Sequence, residues 1–364
     1  MIPYIQNLIY NGEREEMEYL VLFHSKYMTI NEIAKLAGVS RTTVSRYLNG
    51  GYVSADKKAV IKKVIDETGY TPSASAQNLR TKKTNYVGVI IPKINSDSIS
   101  RMVSGISAVL SANGYQMLLA CTENHETEEV KYLNLFRENH VDGIILIGTI
   151  FTQAHKKALE ALMVPVIILG QNIDGYSCIY SDDYNAAHSL GQAIVTEGNN
   201  FAMISVTQKD IAVGYNRRQG FIDAIEEAGK HIAENAIFEG NFTMDAGYNL
   251  TSQVLQAYPG TDTLICATDT IAAGAIRKLH EMGKEIPRDI QVTGFGDSSL
   301  ALATTPVLTT VHFYYEEAGQ NAAQMLLEEM KISTNSKEKG AIDSSALRKK
   351  LQLDFEVRIN DSTR

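Results

Sequence analysis

Arginine and hydroxyl side chains are concentrated in one short stretch near the start of the chain, between residues 40 and 49. Arginine is the side chain best suited to bond guanine through two hydrogen bonds, and threonine bonds a base edge or contacts a thymine methyl group. Serine, threonine and asparagine bond phosphate oxygens, which position a protein without reading sequence. The stretch therefore favours nucleic-acid recognition. The predicted base readers are Arg41, Thr42 and Arg46, and the predicted phosphate contacts are Ser40, Thr43 and Asn49.

The elements that would position these side chains are three helices. Thr29 and Glu32 have the spacing of a capping box, and the helix that they begin ends at Gly38. Ser40 is a suitable N-cap for a second helix, Arg41 to Leu48, after a turn of about three residues. A third helix is expected from Ala55 to Thr68. This spacing predicts a helix-turn-helix; an ordinary three-helix core with a polar outer face remains the alternative.

The charge of the chain is divided unequally along its length. The net charge of −8 combines −2 over residues 1–27, +6 over residues 28–84 and −12 over residues 85–364. A basic head on an acidic body indicates that one end meets a polyanion, although charge alone equally allows a solvated surface.

Beyond residue 85, short apolar strands alternate with amphipathic helices. This alternation predicts an α/β body with doubly wound parallel sheets, and about 280 residues are too many for one such sheet. We therefore expect two similar lobes with a ligand cleft at the carboxyl ends of the strands. The predicted strands are Tyr86–Ile91, Gln116–Ala120, Gly143–Ile147, Val166–Leu169, Ala202–Val206, Leu264–Ala267 and Gln291–Phe295.

Several classes of protein are not supported by the motifs. The three cysteines lack CxxC spacing, which excludes a zinc ribbon or redox dithiol and suits a reducing cytoplasm. There is no GxGxxG, Walker A, GxSxG or HExxH motif, so we predict no cofactor, no metal and no catalytic residue. Asp182-Asp183 is interpreted as a helix N-terminus. No stretch reaches the ~18 apolar residues of a membrane span, and no secretory signal is seen, which predicts a cytoplasmic protein.

Two segments of the head carry a resemblance to a known family. T-I-N-E-I-A-K-L-A-G-V-S-R-T-T-V-S-R-Y-L-N-G, residues 29–50, resembles the signature of the lactose/galactose repressor family of bacterial transcription regulators. Residues 69–80 resemble the hinge of that family, with Ser73 in place of its asparagine. The resemblance implies that Ala76 and Leu79 contact DNA, Leu79 as a wedge in the minor groove of an operator bound by a homodimer.

The body is similar to periplasmic sugar-binding proteins, to which the sensor of this repressor family is related. The resemblance implies an effector pocket, and Arg217 in N-R-R-Q-G-F stands at the ligand-binding arginine of the family. A guanidinium offers up to five donors to sugar hydroxyls or a carboxylate. The implied effector-binding residues are Ser96, Ser98, Gln171, Arg217, Phe242, Thr268, Asp269 and Asp297.

Departures from the family pattern affect part of this pocket. The aromatic platform after the first strand is absent and the segment is rich in hydroxyls, which makes a stacked purine a poorer expectation than a sugar. Gly296 stands where the family has its first aspartate, which leaves Asp297 as the candidate. Asp269 is either a helix N-cap or a ligand contact. We expect Leu351–Asn360 to be the last strand and residues 331–350 to be a solvated loop.

The sequence thus predicts a helix-turn-helix domain at residues 28–71, a hinge at 72–84 and a two-lobed ligand-binding and dimerisation domain at 85–364. Residues 1–27 are an N-terminal extension that the family pattern lacks, and an upstream start at Met1 instead of Met17 or Met28 would explain it. The predicted function is repression of carbohydrate uptake or utilisation genes under control of a small sugar-like effector. An enzyme and a transport-binding protein are the rival interpretations.

Overall fold

The computed structural model describes residues 28–71, 83–339 and 348–364, without the side chains of 334–339. The chain divides into two compact units, residues 1–84 and 85–364. Ala76, Leu79 and the extension at residues 1–27 lie outside the described residues.

The described part of the first unit contains three helices, α1 (Ile30–Leu36), α2 (Arg41–Leu48) and α3 (Ala55–Thr68). The capping box at the start of α1 forms, with the Thr29 N–H donating to a Glu32 carboxylate oxygen at 2.7 Å. The Thr43 N–H donates to the Ser40 hydroxyl and caps α2. One fully buried aliphatic side chain from each helix meets in the core: Ile33, Val44 and Ile61. These contacts fix the angle at which α2 leaves the turn.

The first lobe of the second unit is built on a six-stranded parallel sheet. Its order is β11-β5-β4-β3-β1-β2, and Val89 of β1 pairs with Ile145 of β3. Ile144, Ile145 and Leu146 are consecutive and all fully buried, as expected where helices cover both faces. The strands are β1 (Tyr86–Ile91), β2 (Gln116–Cys121), β3 (Gly143–Leu146), β4 (Val166–Leu169), β5 (Ser177–Ser181) and β11 (Lys350–Leu353).

The second lobe is built on a four-stranded parallel sheet in the order β7-β6-β8-β9, with β10 and β12 paired antiparallel beside it. A bridge between Thr293 and Thr309 joins the two. The strands are β6 (Phe201–Ser205), β7 (Ile237–Glu239), β8 (Thr263–Cys266), β9 (Gln291–Thr293), β10 (Thr310–Phe313) and β12 (Phe355–Arg358). Two doubly wound lobes therefore confirm the predicted fold class.

Helices connect these strands and cover the sheets. Most of them begin near the carboxyl ends of the strands. A π-helix, Ile211–Asn216, leads directly into α8, and a 3₁₀-helix, Glu234–Ala236, precedes β7. The helices are α4 (Asp97–Ala112), α5 (Glu126–Glu138), α6 (Gln153–Glu160), α7 (Asp183–Ile194), α8 (Arg217–Glu227), α9 (Met244–Ala257), α10 (Asp269–Glu281), α11 (Ser299–Ala303) and α12 (Tyr315–Lys339).

Along its described residues, the chain passes between the lobes at three places. It leaves the first lobe between β5 and α7, returns between β10 and α12, and leaves again between β11 and β12. Residues at these crossings lie between the two sheets, so the crossings place side chains from distant parts of the sequence around the cleft.

Three expectations about the body were wrong. The predicted last strand at 351–360 is two strands, β11 and β12, because the chain changes lobe at Asp354. The predicted loop at 331–350 is helical as far as Lys339, as a continuation of α12. Strands β5, β7 and β10 were not anticipated. Strand β2 is partly exposed and not buried on both faces, because it forms an edge of its sheet.

Candidate effector cleft and DNA-reading helix

A cleft of about 1030 Å³, its open mouth included, lies between the two lobes at the carboxyl ends of their strands. Residues of both lobes and of two lobe crossings line it. Among the predicted effector residues, those that line the cleft are Ser96, Ser98, Gln171, Arg217, Phe242, Thr268 and Asp269. Strand ends were therefore a good guide to the position of the cleft.

Arg217 is the central cation of the cleft. It is the first residue of α8 and only 6% exposed. Its Nε donates to Asp183 Oδ1 at 2.7 Å, and its Nη1 donates to the Ala267 carbonyl at 2.8 Å. The guanidinium carbon lies 4.8 and 5.2 Å from the ring centroids of Phe295 and Phe313, which adds cation–π attraction. The guanidinium is thus held in one orientation before any ligand arrives.

Asp183 and Tyr315 are cleft residues that the sequence analysis missed. Asp182 does cap α7, since its Oδ1 accepts from the Asn185 N–H, but Asp183 turns into the cleft and pairs with Arg217. Tyr315 lies at the next lobe crossing, buried beside the same guanidinium. Burial raises the pKa of the Tyr315 hydroxyl more than the neighbouring Arg217 lowers it, so this hydroxyl stays protonated. Asp183 is brought close to Arg217 by the place where the chain crosses between the lobes. No local pattern in the sequence could have indicated this contact.

Among the described residues, three hydrogen bonds span the cleft directly from one lobe to the other. Lys93 Nζ donates to the Phe242 carbonyl at 3.1 Å. Arg101 Nη2 donates to the Gly296 carbonyl at 2.5 Å. Gln171 Nε2 donates to Asp210 Oδ1 at 2.8 Å. The two lobes are therefore joined by hydrogen bonds that their own side chains donate. A ligand that fills the cleft contacts these groups, whose hydrogen bonds depend on the separation of the lobes.

Thr268 and Asp269 have distinct roles at the start of α10. Thr268 is the N-cap, because its hydroxyl accepts from the Ile271 N–H. Asp269 is buried, and its carboxylate accepts from the Ser298 N–H at 2.8 Å and from the Thr310 hydroxyl at 2.6 Å. The N-cap interpretation of Asp269 is therefore wrong. Burial raises the pKa of the Asp269 carboxyl, which these hydrogen bonds only partly offset.

Asp297 does not line the cleft, contrary to expectation. Its backbone has a φ of 46°, which turns the side chain toward β10 and β12. There the Oδ2 atom accepts from Arg358 Nη1 at 2.5 Å and from His312 Nδ1 at 2.8 Å. The Gly296 backbone takes the cleft position instead. Asp297 thus connects two strands of the second lobe.

Replacing Asp297 by asparagine tests this reassignment. Asparagine tolerates positive φ, so the change removes the charge and little else. We expect the Tm to fall by about 2–4 °C, the effect of about 1 kcal/mol in a domain of this size, while the Kd of the effector stays unchanged. Differential scanning fluorimetry and calorimetric titration measure both, and a weaker effector affinity without loss of Tm would restore Asp297 to the binding site.

Asp210 provides a test of the electrostatics of the cleft. Burial raises the pKa of its carboxyl above the ordinary value of 3.8, so the folded state holds the proton more tightly than the unfolded state. The stabilisation by this proton is present below pH 3.8 and is lost as pH rises through the folded pKa. Asp210→Asn keeps the acceptor Oδ1 and mimics the protonated form. We expect its Tm to exceed that of the wild type at neutral pH, and the difference to shrink in acid; a pH-independent difference contradicts this.

The predicted base readers lie on the outer face of the first unit. Arg41, Thr42 and Arg46 of α2 are exposed, and Thr42 and Arg46 lie on the side opposite the buried Val44. Ser40 and Asn49 are exposed at the two ends of the helix, and the Asn49 amide donates to the Ser45 carbonyl. Thr43 is half-buried. The exposed face of α2 therefore offers guanidinium and hydroxyl donors with no described acidic partner on that face.

Comparison with known families decides between the interpretations. Residues 29–73 match bacterial regulatory proteins of the lacI family, and residues 84–350 match the family of periplasmic binding proteins and the sugar-binding domain of the LacI family. The chain belongs to the LacI family. It is a DNA-binding transcriptional regulator, which confirms the resemblance drawn from residues 29–50 and from the body.

Individual relatives extend along most of the chain. The sucrose operon repressor of Staphylococcus xylosus is 35% identical over 82% of this chain and 92% of its own length. The ribose operon repressor of Halalkalibacterium halodurans is 30% identical, over 83% and 90%. A solved complex of the transcriptional regulator CelR with cellobiose is 26% identical, with a TM-score of 0.68 over 92% of this chain and 99% of that one. These relatives are regulators.

Two further features concern the rest of the molecule. Within the described residues, no helix combines the length and the apolar character that crossing a membrane requires. No cluster of three or more potential metal ligands occurs in the part of the chain that the structure describes.

Proposed function

We propose that this regulator represses genes of carbohydrate uptake or utilisation and is controlled by a sugar that binds between the lobes of residues 85–364. The observation that carries the proposal is the cleft itself, where a buried, pre-oriented Arg217–Asp183 pair lies beside hydroxyl and amide side chains of both lobes. A fixed pair of this kind offers both donors and acceptors to vicinal hydroxyls. The names of the relatives, which mention sucrose, ribose and cellobiose, favour the same class of effector.

In this proposal the residues divide into two sets. Operator DNA is contacted by α2 and by the hinge at residues 72–84, with Arg41, Thr42 and Arg46 reading bases, Ser40, Thr43 and Asn49 on phosphates, and Ala76 and Leu79 in the minor groove. The effector is contacted from both lobes by Ser96, Ser98, Gln171, Arg217, Phe242, Thr268 and Asp269, together with Asp183 and Tyr315.

The protein acts as a homodimer in the cytoplasm and has no catalytic step. A two-fold dimer presents two recognition helices to a pseudo-palindromic operator, and the half-site spacing then follows from its symmetry. Sugar binding changes the separation of the lobes and hence the spacing of the two hinges, so DNA affinity and sugar affinity are coupled.

A binding experiment with the full chain tests this function. DNA upstream of its own gene, labelled with a fluorophore, is titrated with protein, and the anisotropy is then followed as sucrose, ribose or cellobiose is added. We expect specific, salt-sensitive binding and a sugar-dependent change of affinity. A protein that binds a sugar but no DNA would be a transport-binding protein, and turnover of the sugar would reveal an enzyme.

A further inference from the structure

The linker at residues 72–84 joins the first lobe at the amino end of β1, where the backbone adopts an uncommon conformation. Asn85, the residue before β1, has a φ of 57°. Positive φ is disfavoured for residues with a Cβ atom, although asparagine tolerates it better than most. Backbone of this kind persists only where its surroundings hold it, and it occurs preferentially at functional sites. The contacts that hold Asn85 therefore bear on the function of the linker.

Asn85 is held by residues of the strands on both sides of β1. Its N–H donates to Asp142 Oδ2 at 2.8 Å, and its carbonyl accepts from the Gln116 N–H at 2.8 Å. Asp142 precedes β3 and Gln116 is the first residue of β2, and these two strands flank β1 in the sheet. The Asp142 N–H donates in turn to the Tyr86 carbonyl at 2.8 Å. Two hydrogen bonds thus join residues 85 and 86 to Asp142, and we call them the Asn85–Asp142 clasp.

The two strands that begin at the clasp end at the cleft. β1 is followed by Pro92 and Lys93, and β3 by Ile147 and Gly148, and all four residues line the cleft. At about 3.3 Å per residue, β1 spans about 20 Å between the clasp and the cleft. β1 is buried from its second residue onward and β3 is buried throughout, and close-packed interiors transmit strain because they are hardly compressible. A displacement of β1 against β3 at the cleft therefore reaches the clasp at the opposite edge of the sheet.

From these contacts we propose that Asn85 and Asp142 are positioning residues for operator binding, because their clasp fixes the direction in which the linker leaves the first lobe. Without the clasp the linker leaves over a range of directions. Only a fraction of the dimers then hold both heads so that they reach two half-sites at once, and the apparent operator affinity falls by that fraction. The inference goes beyond the proposed function but rests on its operator binding by a dimer.

Two substitutions of Asp142 test the clasp. Asp142→Ala removes the acceptor of the Asn85 N–H, whereas Asp142→Asn keeps an oxygen that accepts it. Fluorescence anisotropy measures the affinity of the full chain for the whole operator and for a duplex that carries one half-site. We expect Asp142→Ala to bind the whole operator about tenfold more weakly, as when the competent fraction falls to about a tenth, and to bind the half-site as the wild type does. Asp142→Asn should match the wild type on both duplexes.

The half-site duplex separates positioning from general damage. A merely structural role of Asp142 would weaken the binding of both duplexes alike, because a damaged fold affects each head by itself. An equal loss on both duplexes, or an unchanged affinity of Asp142→Ala for the whole operator, overturns the inference and leaves the proposed function intact. A wild type that binds neither duplex overturns both.

Replacement of Asn85 is an independent test with a matched control. Asn85→Val places a β-branched side chain at a positive φ, whereas Asn85→Gly adopts this φ without strain. We expect Asn85→Val to weaken binding of the whole operator about tenfold, for the same reason as Asp142→Ala, and Asn85→Gly to keep most of the affinity. The control is Glu123→Val, because Glu123 has a φ of 51° in the same lobe but lies neither beside the linker nor in the cleft lining.

The control should lower the Tm as much as Asn85→Val does and should keep the operator Kd of the wild type. If Glu123→Val weakens operator binding as much as Asn85→Val, the loss is due to strain in the lobe and the clasp does not position the linker. Wild-type operator binding by Asn85→Val also contradicts the proposal.

Discussion

Replacing Arg217 by alanine should lower the unfolding free energy of the two-lobed unit by about 3–5 kcal/mol, because it leaves the buried Asp183 carboxylate without its cation. It also removes the cation–π contacts of the guanidinium with Phe295 and Phe313. Urea denaturation measures the loss. Unfolding is followed by circular dichroism, because the chain has no tryptophan whose fluorescence could report it. The variant should give no effector-induced rise in Tm.

A double variant separates stability from effector binding. Asp183→Leu combined with Arg217→Met replaces both charges by apolar side chains, which is often neutral for stability where removal of one partner is not. We expect most of the lost unfolding free energy to return while the effector response stays absent. If the double variant is no more stable than Arg217→Ala, the unpaired Asp183 carboxylate is not the cause of the lost unfolding free energy. If the effector still raises the Tm of the double variant, Arg217 does not belong to the binding site.

The second large effect concerns the DNA-reading helix. Arg46→Ala should weaken operator binding by about 5–150-fold, the range expected for the loss of one bidentate arginine–guanine contact. The fold of the head should be unaffected, because the Arg46 side chain is exposed and supports no core residue. Fluorescence anisotropy at constant salt measures the change, and the effector-induced thermal shift should be unaffected.

A matched control distinguishes base reading from general charge. Lys63 is also an exposed cation of the head but lies on α3, with Glu67 at 3.8 Å. Lys63→Ala should leave the preference for operator over unrelated DNA unchanged. If Lys63→Ala and Arg46→Ala weaken operator and unrelated DNA to the same extent, then α2 is not the element that reads sequence.

Local sequence signals were sufficient for the head. The capping box of Thr29 and Glu32, the N-cap Ser40 and the left-handed Gly69 all involve residues a few positions apart, and each forms as expected. The apolar strands of the body were also identified, because parallel strands covered on both faces are apolar throughout. Strands β5, β7 and β10 were missed because they are short: β5 has three apolar residues between two serines, β7 has three residues and β10 has four.

The cleft was predictable only in part, and the reason is topological. Arg217 and Phe242 could be nominated from their family pattern, but Asp183 and Tyr315 reach the cleft through lobe crossings that no local pattern reveals. Asp297 was expected in the cleft and does not line it, for the opposite reason. It is next in sequence to a cleft residue, but a single positive φ turns its carboxylate to His312 and Arg358.

Reciprocal titration tests most directly the central claim that sugar binding in the cleft controls DNA binding. The Kd of the operator is measured with and without saturating sugar, and the Kd of the sugar with and without saturating operator. Linkage requires both to change by the same factor, about 5–150-fold for a typical coupling free energy. Equal Kd values with and without the second ligand would contradict the account, because the cleft would then bind a sugar that has no effect on the DNA-reading head.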